Sequence, residues 1–183
     1  MLENIREDFR AHECKLSRQG FWTMLVYRFG RWRYGIRWRP LRMPFSFAYK
    51  LLKVLAEILT GIELPCEVTL GRRFVIEHFG GIIISGDAVF GDDCRVRNGV
   101  TVGLRHTHQR GSPVIGNRVD IGAGAKLLGP IRIGDDVHIG ANAVVITDVP
   151  SNSIAVGVPA RILPRKPAQS HPSPPPASPA RGR

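Results

Sequence analysis

The chain has 183 residues, which is enough for one domain with short appendages. It carries 26 Lys and Arg residues against 15 Asp and Glu residues, so its formal net charge is +11, which favours anionic partners. Its three cysteines, Cys14, Cys66 and Cys94, show no Cys-x-x-Cys spacing. A disulfide framework and a cysteine-based zinc site are therefore not predicted, and a reducing cytoplasm is the expected location.

No targeting or membrane-spanning segment is predicted. The first ten residues are charged and lack the apolar core of a secretory signal. The longest apolar stretch, residues 43–59, is interrupted by Lys50, Lys53 and Glu57, which argues against a transmembrane span.

The first sixty residues are expected to form helices. Apolar residues spaced three and four apart, such as Leu2, Ile5 and Phe9, predict helix with breaks over residues 2–40 and a second helix over residues 47–59. The expected ends, loosened turns and connectors are Gly20, Gly30, Pro40, Pro44 and Gly61. This region would form a small helical cap over residues 1–61.

The segment bounded by Arg28 and Arg42 is strongly basic, with six arginines that alternate with Trp32, Tyr34 and Trp38. It could contact a membrane surface, with arginines on phosphates and indole rings at the interface. It could instead be a solvated helix face whose aromatic side chains pack on a neighbouring subunit, which is the commoner role of a charge run. No groove-reading motif accompanies the charge, so nucleic acid is not an expected partner.

From residue 64 to residue 149 the sequence repeats every six positions. An apolar residue recurs at this interval in three runs of different register, and a mostly small or β-branched residue recurs four positions later. This period is typical of a β-solenoid, in which three hexads make one triangular coil. The sequence thus predicts a mainly β fold, a parallel β-helix over residues 62–166. The apolar positions are Leu64, Leu70, Ile76, Ile84, Phe90, Val96, Val102, Ile115, Ile121, Leu127, Ile133, Ile139 and Val145. The second series is Val68, Phe74, Ala88, Cys94, Val100, Val119, Ala125, Ile131, Val137, Ala143 and Val149.

Two interruptions of the repeat are expected to carry function. The register slips by two residues at 77–81, which must bulge at a corner. Residues 103–113 are too polar to fill a coil and predict a loop that leaves the prism, and loops on rigid scaffolds often carry function. The Pro-rich residues 167–183 are expected to be a disordered tail.

His78 stands on the bulged corner and is the leading candidate for a general base, since histidine suits proton transfer near neutral pH. Glu63 lies fifteen residues earlier, close to one coil of about eighteen residues with a two-residue insert. Its carboxylate could therefore orient the imidazole. In the alternative interpretation His78 is an ordinary turn histidine and Glu63 a solvated acid, and the spacing does not distinguish the two.

Several segments resemble the serine acetyltransferases of the hexapeptide acyltransferase superfamily, over about residues 61–163. They are Gly-Arg-Arg-Phe-Val-Ile-Glu-His at 71–78, Ile-Gly-Ala-Gly-Ala-Lys-Leu-Leu-Gly at 121–129 and Gly-Val-Pro-Ala-Arg-Ile at 157–162. The short N-terminus, Gly-Arg-Arg-Phe at 71–74 and Asn-Gly-Val-Thr-Val-Gly at 98–103 also resemble acetyltransferases of exopolysaccharide and colanic acid clusters.

The resemblance implies transfer of an acetyl group from acetyl-CoA, as co-substrate, to a hydroxyl. It implies a left-handed β-helix, no metal, and a homotrimer with active sites between subunits. His78 matches the catalytic base and Glu63 the acid that orients it. Gly103, Ala123 and Ala141 match positions whose backbone lines the acetyl-CoA groove, where small residues let the pantetheine arm approach.

Departures from the resemblance concern the acceptor. An Arg-Asp-Pro-Ala segment that helps to hold serine is missing, a histidine of the loop is Ser112 here, and the acid before the base is Glu77. We therefore expect a sugar or exopolysaccharide hydroxyl as acceptor, with serine as the alternative. The residues expected to bind the acceptor are Glu77, Arg105, His106 and His108.

Two interpretations from other classes remain. A metalloenzyme of the γ-carbonic anhydrase type would use His78, His106 and His108, although two of these share one loop. A non-catalytic scaffold would leave His78 unoriented.

Overall fold

The chain was described by a computed structural model that covers residues 2–106 and 111–165. These residues form three helices followed by fifteen short strands. The helices are α1 (Leu2–Ala11), α2 (Gln19–Arg33) and α3 (Arg39–Thr60). No helix in this part of the chain is both long enough and apolar enough to cross a membrane.

The predicted helix breaks are partly wrong. Gly20 and Gly30 lie inside α2. Both positions need a residue without a side chain, because a Cβ at Gly20 would lie 2.4 Å from the carbonyl oxygen of Ile76 and one at Gly30 would lie 2.5 Å from the Tyr49 ring. Their role is close packing and not chain termination. Pro40 opens α3, where no helical N–H is needed, and Pro44 lies inside the helix instead of in a connector. Gly61 ends α3 with φ of 64°, as predicted.

The strands form three sheets, named here A, B and C. Sheet A holds β1 (Ile62–Glu63), β4 (Ile82–Ile84), β7 (Thr101–Gly103), β10 (Lys126–Leu128) and β13 (Val144–Val145). Sheet B holds β2 (Thr69–Leu70), β5 (Val89–Phe90), β8 (Val114–Ile115) and β11 (Arg132–Ile133). Sheet C holds β3 (Val75–Ile76), β6 (Arg95–Val96), β9 (Asp120–Ile121), β12 (His138–Ile139), β14 (Ser153–Val156) and β15 (Arg161–Pro164). The β14–β15 pair is antiparallel, and the other paired strands are parallel.

From β1 to β13 successive strands visit sheets A, B and C in turn, so each coil stacks on the one before it, as the six-residue period predicts. Both repeating series are buried along their whole length. The core is thus a column in which each side chain packs on the equivalent side chains of the coils above and below. Each coil therefore depends on its neighbours for burial. The Phe74 and Phe90 rings, on neighbouring coils, meet edge to face at 5.1 Å.

Three corners join the sheets. The first corner, from sheet C to sheet A, comprises residues 77–81, 97–100, 122–125 and 140–143. The second corner, from A to B, includes residues 64–68, 85–88, 104–106, 111–113, 129–131 and 146–148. The third corner, from B to C, comprises residues 71–74, 91–94, 116–119 and 134–137.

Polar ladders fix the register of the third corner. The backbone N–H of Asp92 donates to Oδ1 of Asn117 at 2.8 Å, and that of Asn117 donates to Oδ1 of Asp135 at 2.7 Å. Beside this ladder Arg73 pairs with Asp93 and Arg118 pairs with Asp136, and the arginines lower the pKa of both carboxyls. Each coil is thereby joined to the next at its surface.

The helices pack against the first coil. The Tyr27 hydroxyl donates to the Val68 carbonyl at 2.9 Å and accepts from the Leu70 N–H at 3.3 Å, and burial raises the pKa of Tyr27. His12 is buried, and its Nε2 accepts the Ile76 N–H at 3.3 Å. These contacts connect α2 and the residue that follows α1 to the first coil of the solenoid, and Ile76 lies two residues before His78.

Candidate active site

His78 lies on the first corner, in the five-residue connection between β3 and β4. Its side chain is exposed in the single chain. Gly80 and Gly81 follow with φ of 97° and 65°, a conformation that favours glycine and allows the wide turn. The two-residue slip in the repeat is therefore a bulge at the corner, as predicted.

Glu77 is held by two arginines of the next coil. Its Oε1 accepts from Arg95 at 2.6 Å and its Oε2 pairs with Arg97 at 2.7 Å. Arg97 also binds the carboxylate of Asp120 in the coil after that, which raises the pKa of Arg97. The network anchors the residue directly before His78, so Glu77 serves the bulge that presents the histidine.

Glu63 lies on the outer surface of sheet A, beside the first corner. Its strand pairs with β4, with Glu63 opposite Ile83, and Gly61 stacks under Gly80. The backbone segments that carry Glu63 and His78 are therefore neighbours in successive coils. Both side chains are exposed, and no hydrogen bond joins them in the part of the chain that the structure describes.

A row of small residues continues along the first corner above His78. Ala123 and Ala141 occupy this corner two and three coils further on, next to Gly122 and Gly140. Since neighbouring parallel strands are spaced by roughly 4.8 Å, Ala141 lies about 14 Å along the solenoid from His78. Ala123 is half-buried and Ala141 is exposed. The small side chains of this row cover little of the backbone at this corner.

The remaining candidate residues lie elsewhere. Gly103 ends β7 on the opposite edge of sheet A, and its carbonyl accepts the Gly129 N–H at 2.9 Å. Arg105 and His106 follow on the second corner and are exposed, while His108 lies outside the described residues. Ser112 is buried and donates to the Ser85 hydroxyl at 3.0 Å, so it packs the loop onto the prism.

The candidates therefore divide between two edges of one sheet. His78, Glu77, Ala123 and Ala141 line the edge where strands of sheet A begin, with Glu63 next to it, and Gly103, Arg105 and His106 line the edge where they end. One chain does not bring the two sets together in the described residues. They would meet where the first corner of one chain faces the second corner of another.

No cluster of three or more His, Cys, Asp or Glu side chains able to hold a metal ion occurs in residues 2–106 and 111–165. Two functional candidates were missed by the sequence analysis. Arg97 was not singled out. It follows Glu77 by twenty residues, about one coil, at an outward-facing position, and this spacing could have indicated that the two side chains form an ion pair. Lys126 was also missed, and its ammonium donates to the Gly99 carbonyl and to the Thr101 hydroxyl across sheet A.

Comparisons with known proteins agree with this architecture. The family model described as bacterial transferase hexapeptide (six repeats) matches residues 112–147. A serine acetyltransferase of Helicobacter pylori (strain J99) is 39% identical over 163 residues, which cover 87% of this chain and 91% of the relative. A putative colanic acid biosynthesis acetyltransferase, WcaB, of Escherichia coli (strain K12) is 40% identical over 112 residues, covering 61% of this chain and 69% of the relative.

The solved structures that resemble this chain include a serine acetyltransferase from Brucella abortus strain S19 in complex with coenzyme A. Its TM-score is 0.78 at 28% sequence identity, and the match covers 91% of this chain and 68% of that one.

Proposed function

We propose an acceptor for this chain, which belongs to the serine acetyltransferase-like family of hexapeptide acyltransferases and is an acetyl-CoA-dependent O-acetyltransferase. The proposed acceptor is a hydroxyl of a sugar or exopolysaccharide precursor. The observation that carries the proposal is the pairing of Glu77, the acid directly before His78, with Arg95 and Arg97. Those groups would otherwise be available to a zwitterionic acceptor.

In the proposed reaction His78 takes the proton of the acceptor hydroxyl as its oxygen attacks the thioester carbonyl of acetyl-CoA. Backbone N–H groups stabilise the negative charge that forms on the carbonyl oxygen. The carbon–sulfur bond then breaks, and the imidazolium returns its proton to the departing CoA thiolate. The products are the acetyl ester and CoA, and His78 is regenerated.

Glu63 is the proposed orienting acid. Its position on the edge of sheet A, beside the first corner, lets its carboxylate accept a hydrogen bond from the imidazole and stabilise the imidazolium. Hydrogen bonds of this kind are often long in enzymes without substrate and shorten in the substrate complex. The base and its partner thus come from the same chain.

The cofactor groove is proposed to run along the small residues of the first corner and to be completed by Gly103 of a neighbouring subunit. The division of the candidates between two edges of sheet A supports an assembly in which these edges face each other. A homotrimer, a left-handed coil and a cytoplasmic location are parts of the same proposal. Arg105, His106 and His108 would then approach the acceptor from the neighbouring loop.

The choice of acceptor follows from charge. Serine carries an ammonium and a carboxylate, and a buried charge without a partner costs several kcal/mol. Glu77 is engaged by Arg95 and Arg97, and Ser112 is buried against Ser85. A sugar hydroxyl makes no ionic demand and suits this surface. The match to a colanic acid biosynthesis acetyltransferase supports the same acceptor class.

Serine is the second candidate function. The observation that favours it is the match to a serine acetyltransferase over 91% of that relative, at 39% identity. The exposed Arg105 and His106 provide groups that could bind a carboxylate.

Release of CoA against a panel of acceptors tests the proposal. We expect turnover with sugars or sugar nucleotides and none that saturates with L-serine in the sub-millimolar to millimolar range usual for natural substrates. Saturable serine turnover in that range would overturn the glycan acceptor. The His78→Ala variant should lose acetyl transfer and bind acetyl-CoA within a few fold of the parent, because the base acts on the acceptor.

Co-expression of two defective chains tests the site between subunits. One chain carries His78→Ala on the first corner, and the other carries Gly103→Trp at the opposite edge of sheet A. Mixed assemblies contain interfaces with both edges intact, so we expect more activity than either variant gives alone. Mixed assemblies that form and stay inactive would contradict an intersubunit site.

A further inference from the structure

The helix α3 presents an apolar surface that the rest of the chain does not cover. Phe47 and Ile58 are each 74% exposed, although both are large and apolar. At 100° per residue these side chains and their neighbours cover about half of the helix circumference. Lys50 and the Lys53–Glu57 ion pair border this surface. The α3 outer face is defined by Leu41, Met43, Phe47, Leu51, Leu52, Val54, Leu55, Ile58 and Leu59.

The α3 outer face continues into a groove between α2 and α3. The groove has a volume of about 560 Å³ and is lined by Trp22, Val26, Phe29, Leu52, Leu55 and Leu59, among others. Its lining is almost entirely apolar. A contiguous exposed surface of this kind marks an interaction site, since single soluble chains seldom expose one.

The charge around the α3 outer face is mostly positive, and its one acid on α3, Glu57, is paired with Lys53. Between Glu13 and Glu57 the chain contains ten Lys and Arg residues and no Asp or Glu. Arg37 and Arg39 are exposed at the turn that leads into α3. Trp38, at the start of the helix, is 68% exposed. The partner must therefore combine an apolar interior with an anionic boundary.

The basic segment identified in the sequence contributes only in part. Arg28 is buried in an ion pair with Asp8, and Arg33 donates to the Ser46 hydroxyl. These two arginines hold the helices together. The membrane contact predicted from the sequence lies in residues 28–42, whereas the larger exposed apolar surface lies on α3.

We propose that the α3 outer face docks on the surface of a bilayer that contains anionic lipid. Its apolar side chains would enter the boundary between headgroups and acyl chains, while Arg37, Arg39 and Lys50 contact lipid phosphates. A second copy of the chain fits less well. A two-fold contact would place the same mostly basic boundary against itself, and Glu57, the acid of α3, is already paired with Lys53.

Vesicle flotation with the full chain tests the proposal. We expect the protein to float with vesicles in which about a third of the lipid is phosphatidylglycerol, and to stay in solution with vesicles of phosphatidylcholine alone. Binding to the anionic vesicles should fall as salt is raised. A protein that stays in solution with both kinds of vesicle, or that binds both equally, would overturn the proposal.

Variants of exposed residues locate the surface. Phe47→Asp and Ile58→Asp should each reduce the bound fraction roughly tenfold or more, since each places a charge in the apolar contact. Arg37→Glu combined with Arg39→Glu should reduce binding to the anionic vesicles. The matched control is Leu163→Asp, an exposed apolar residue on β15, which should bind as the parent does. Equal loss in this control would contradict the assignment to α3.

Light scattering without lipid tests whether a second copy of the chain, and not a bilayer, covers the α3 outer face. Circular dichroism confirms that each variant is folded. We expect Phe47→Asp and Ile58→Asp to have the same molar mass as the parent. A lower molar mass in these variants would mean that a second copy covers the α3 outer face, and the lipid proposal would be rejected. Neither measurement depends on acetyl transfer, so failure here is distinct from failure of the proposed function.

Discussion

Arg28 donates hydrogen bonds to both carboxylate oxygens of Asp8, from Nε at 2.8 Å and from Nη2 at 3.2 Å. The two side chains are only 9% and 1% exposed. Nη2 also reaches the Gly71 carbonyl at 3.3 Å. A single guanidinium therefore joins α1, α2 and the first coil, and the orientation of the helices on the solenoid depends on it.

Replacement of Asp8 should strongly destabilise the protein. Asp8→Ala leaves a buried guanidinium without its partner, which costs about 3–5 kcal/mol. Urea unfolding measures this loss, and Glu3→Ala, an exposed acid of the same helix, is the control with an expected change under about 0.5 kcal/mol. A loss for Asp8→Ala no larger than that of the control would show that water compensates the arginine.

The free energy of unfolding should decrease as the pH falls below neutral, and His12 should contribute to this decrease. Burial lowers the pKa of His12, whose Nε2 must stay unprotonated to accept the Ile76 N–H. The unfolded chain therefore binds a proton more readily than the folded chain. The contribution is complete above the unfolded pKa of about 6.5, and is lost as pH falls from there through the lowered folded pKa.

Urea unfolding of the parent and of His12→Gln between about pH 8 and pH 5 measures this contribution. The parent should lose more stability than the variant over that range. Parallel curves would mean that His12 does not control the pH dependence.

Glu63→Gln should reduce acetyl transfer by roughly ten- to a thousand-fold, less than His78→Ala, because Glu63 orients the base and does not itself react. The amide keeps the shape of the side chain but removes the charge that stabilises the imidazolium. Steady-state CoA release measures the effect, and acetyl-CoA binding should stay within a few fold. Full activity of Glu63→Gln would remove it from the site.

Arg97→Gln should lower kcat while the KM for acetyl-CoA changes little. Arg97 holds Glu77 at 2.7 Å and also binds Asp120, so its loss loosens the bulge that presents His78. Arg97→Lys should recover part of the rate. Arg95→Gln is the matched control, because Arg95 binds the same glutamate but is 49% exposed against 27% for Arg97. A greater loss in Arg95→Gln would reverse this assignment.

Ala141→Leu should raise the KM for acetyl-CoA roughly tenfold or more, because a larger side chain would obstruct the row of small residues on the first corner. Thermal unfolding should be nearly unchanged, since Ala141 is exposed. Arg72→Leu, an exposed position on the third corner, is the control and should leave the KM unchanged. Unaltered kinetics of Ala141→Leu would place the cofactor elsewhere.

Much of the solenoid could be predicted from sequence, and less of the site. Every residue of both repeating series is buried. The bulge at residues 77–81 also lies where the register slips. The pairing of Glu77 with Arg95 and Arg97 was not predicted, and the expectation that Glu77 binds the acceptor stays a prediction. The sequence predicts helix ends or breaks at Gly20, Gly30 and Pro44, although all three lie inside helices. The two glycines lie against Ile76 and Tyr49, contacts that no local pattern reveals.

The sequence by itself determined the coil. In a solenoid each hexad buries its apolar residue against the same position one turn away, so a short repeating pattern contains all the information that its burial requires. Only the tertiary structure decided which charged groups pair and which apolar face of α3 stays uncovered. Those outcomes depend on contacts between segments of unequal spacing, such as Arg97 with Glu77 and Asp120, twenty and twenty-three residues away. The six-residue period alone does not give these distances, because successive coils differ in length and the helices pack on the prism through contacts that do not repeat.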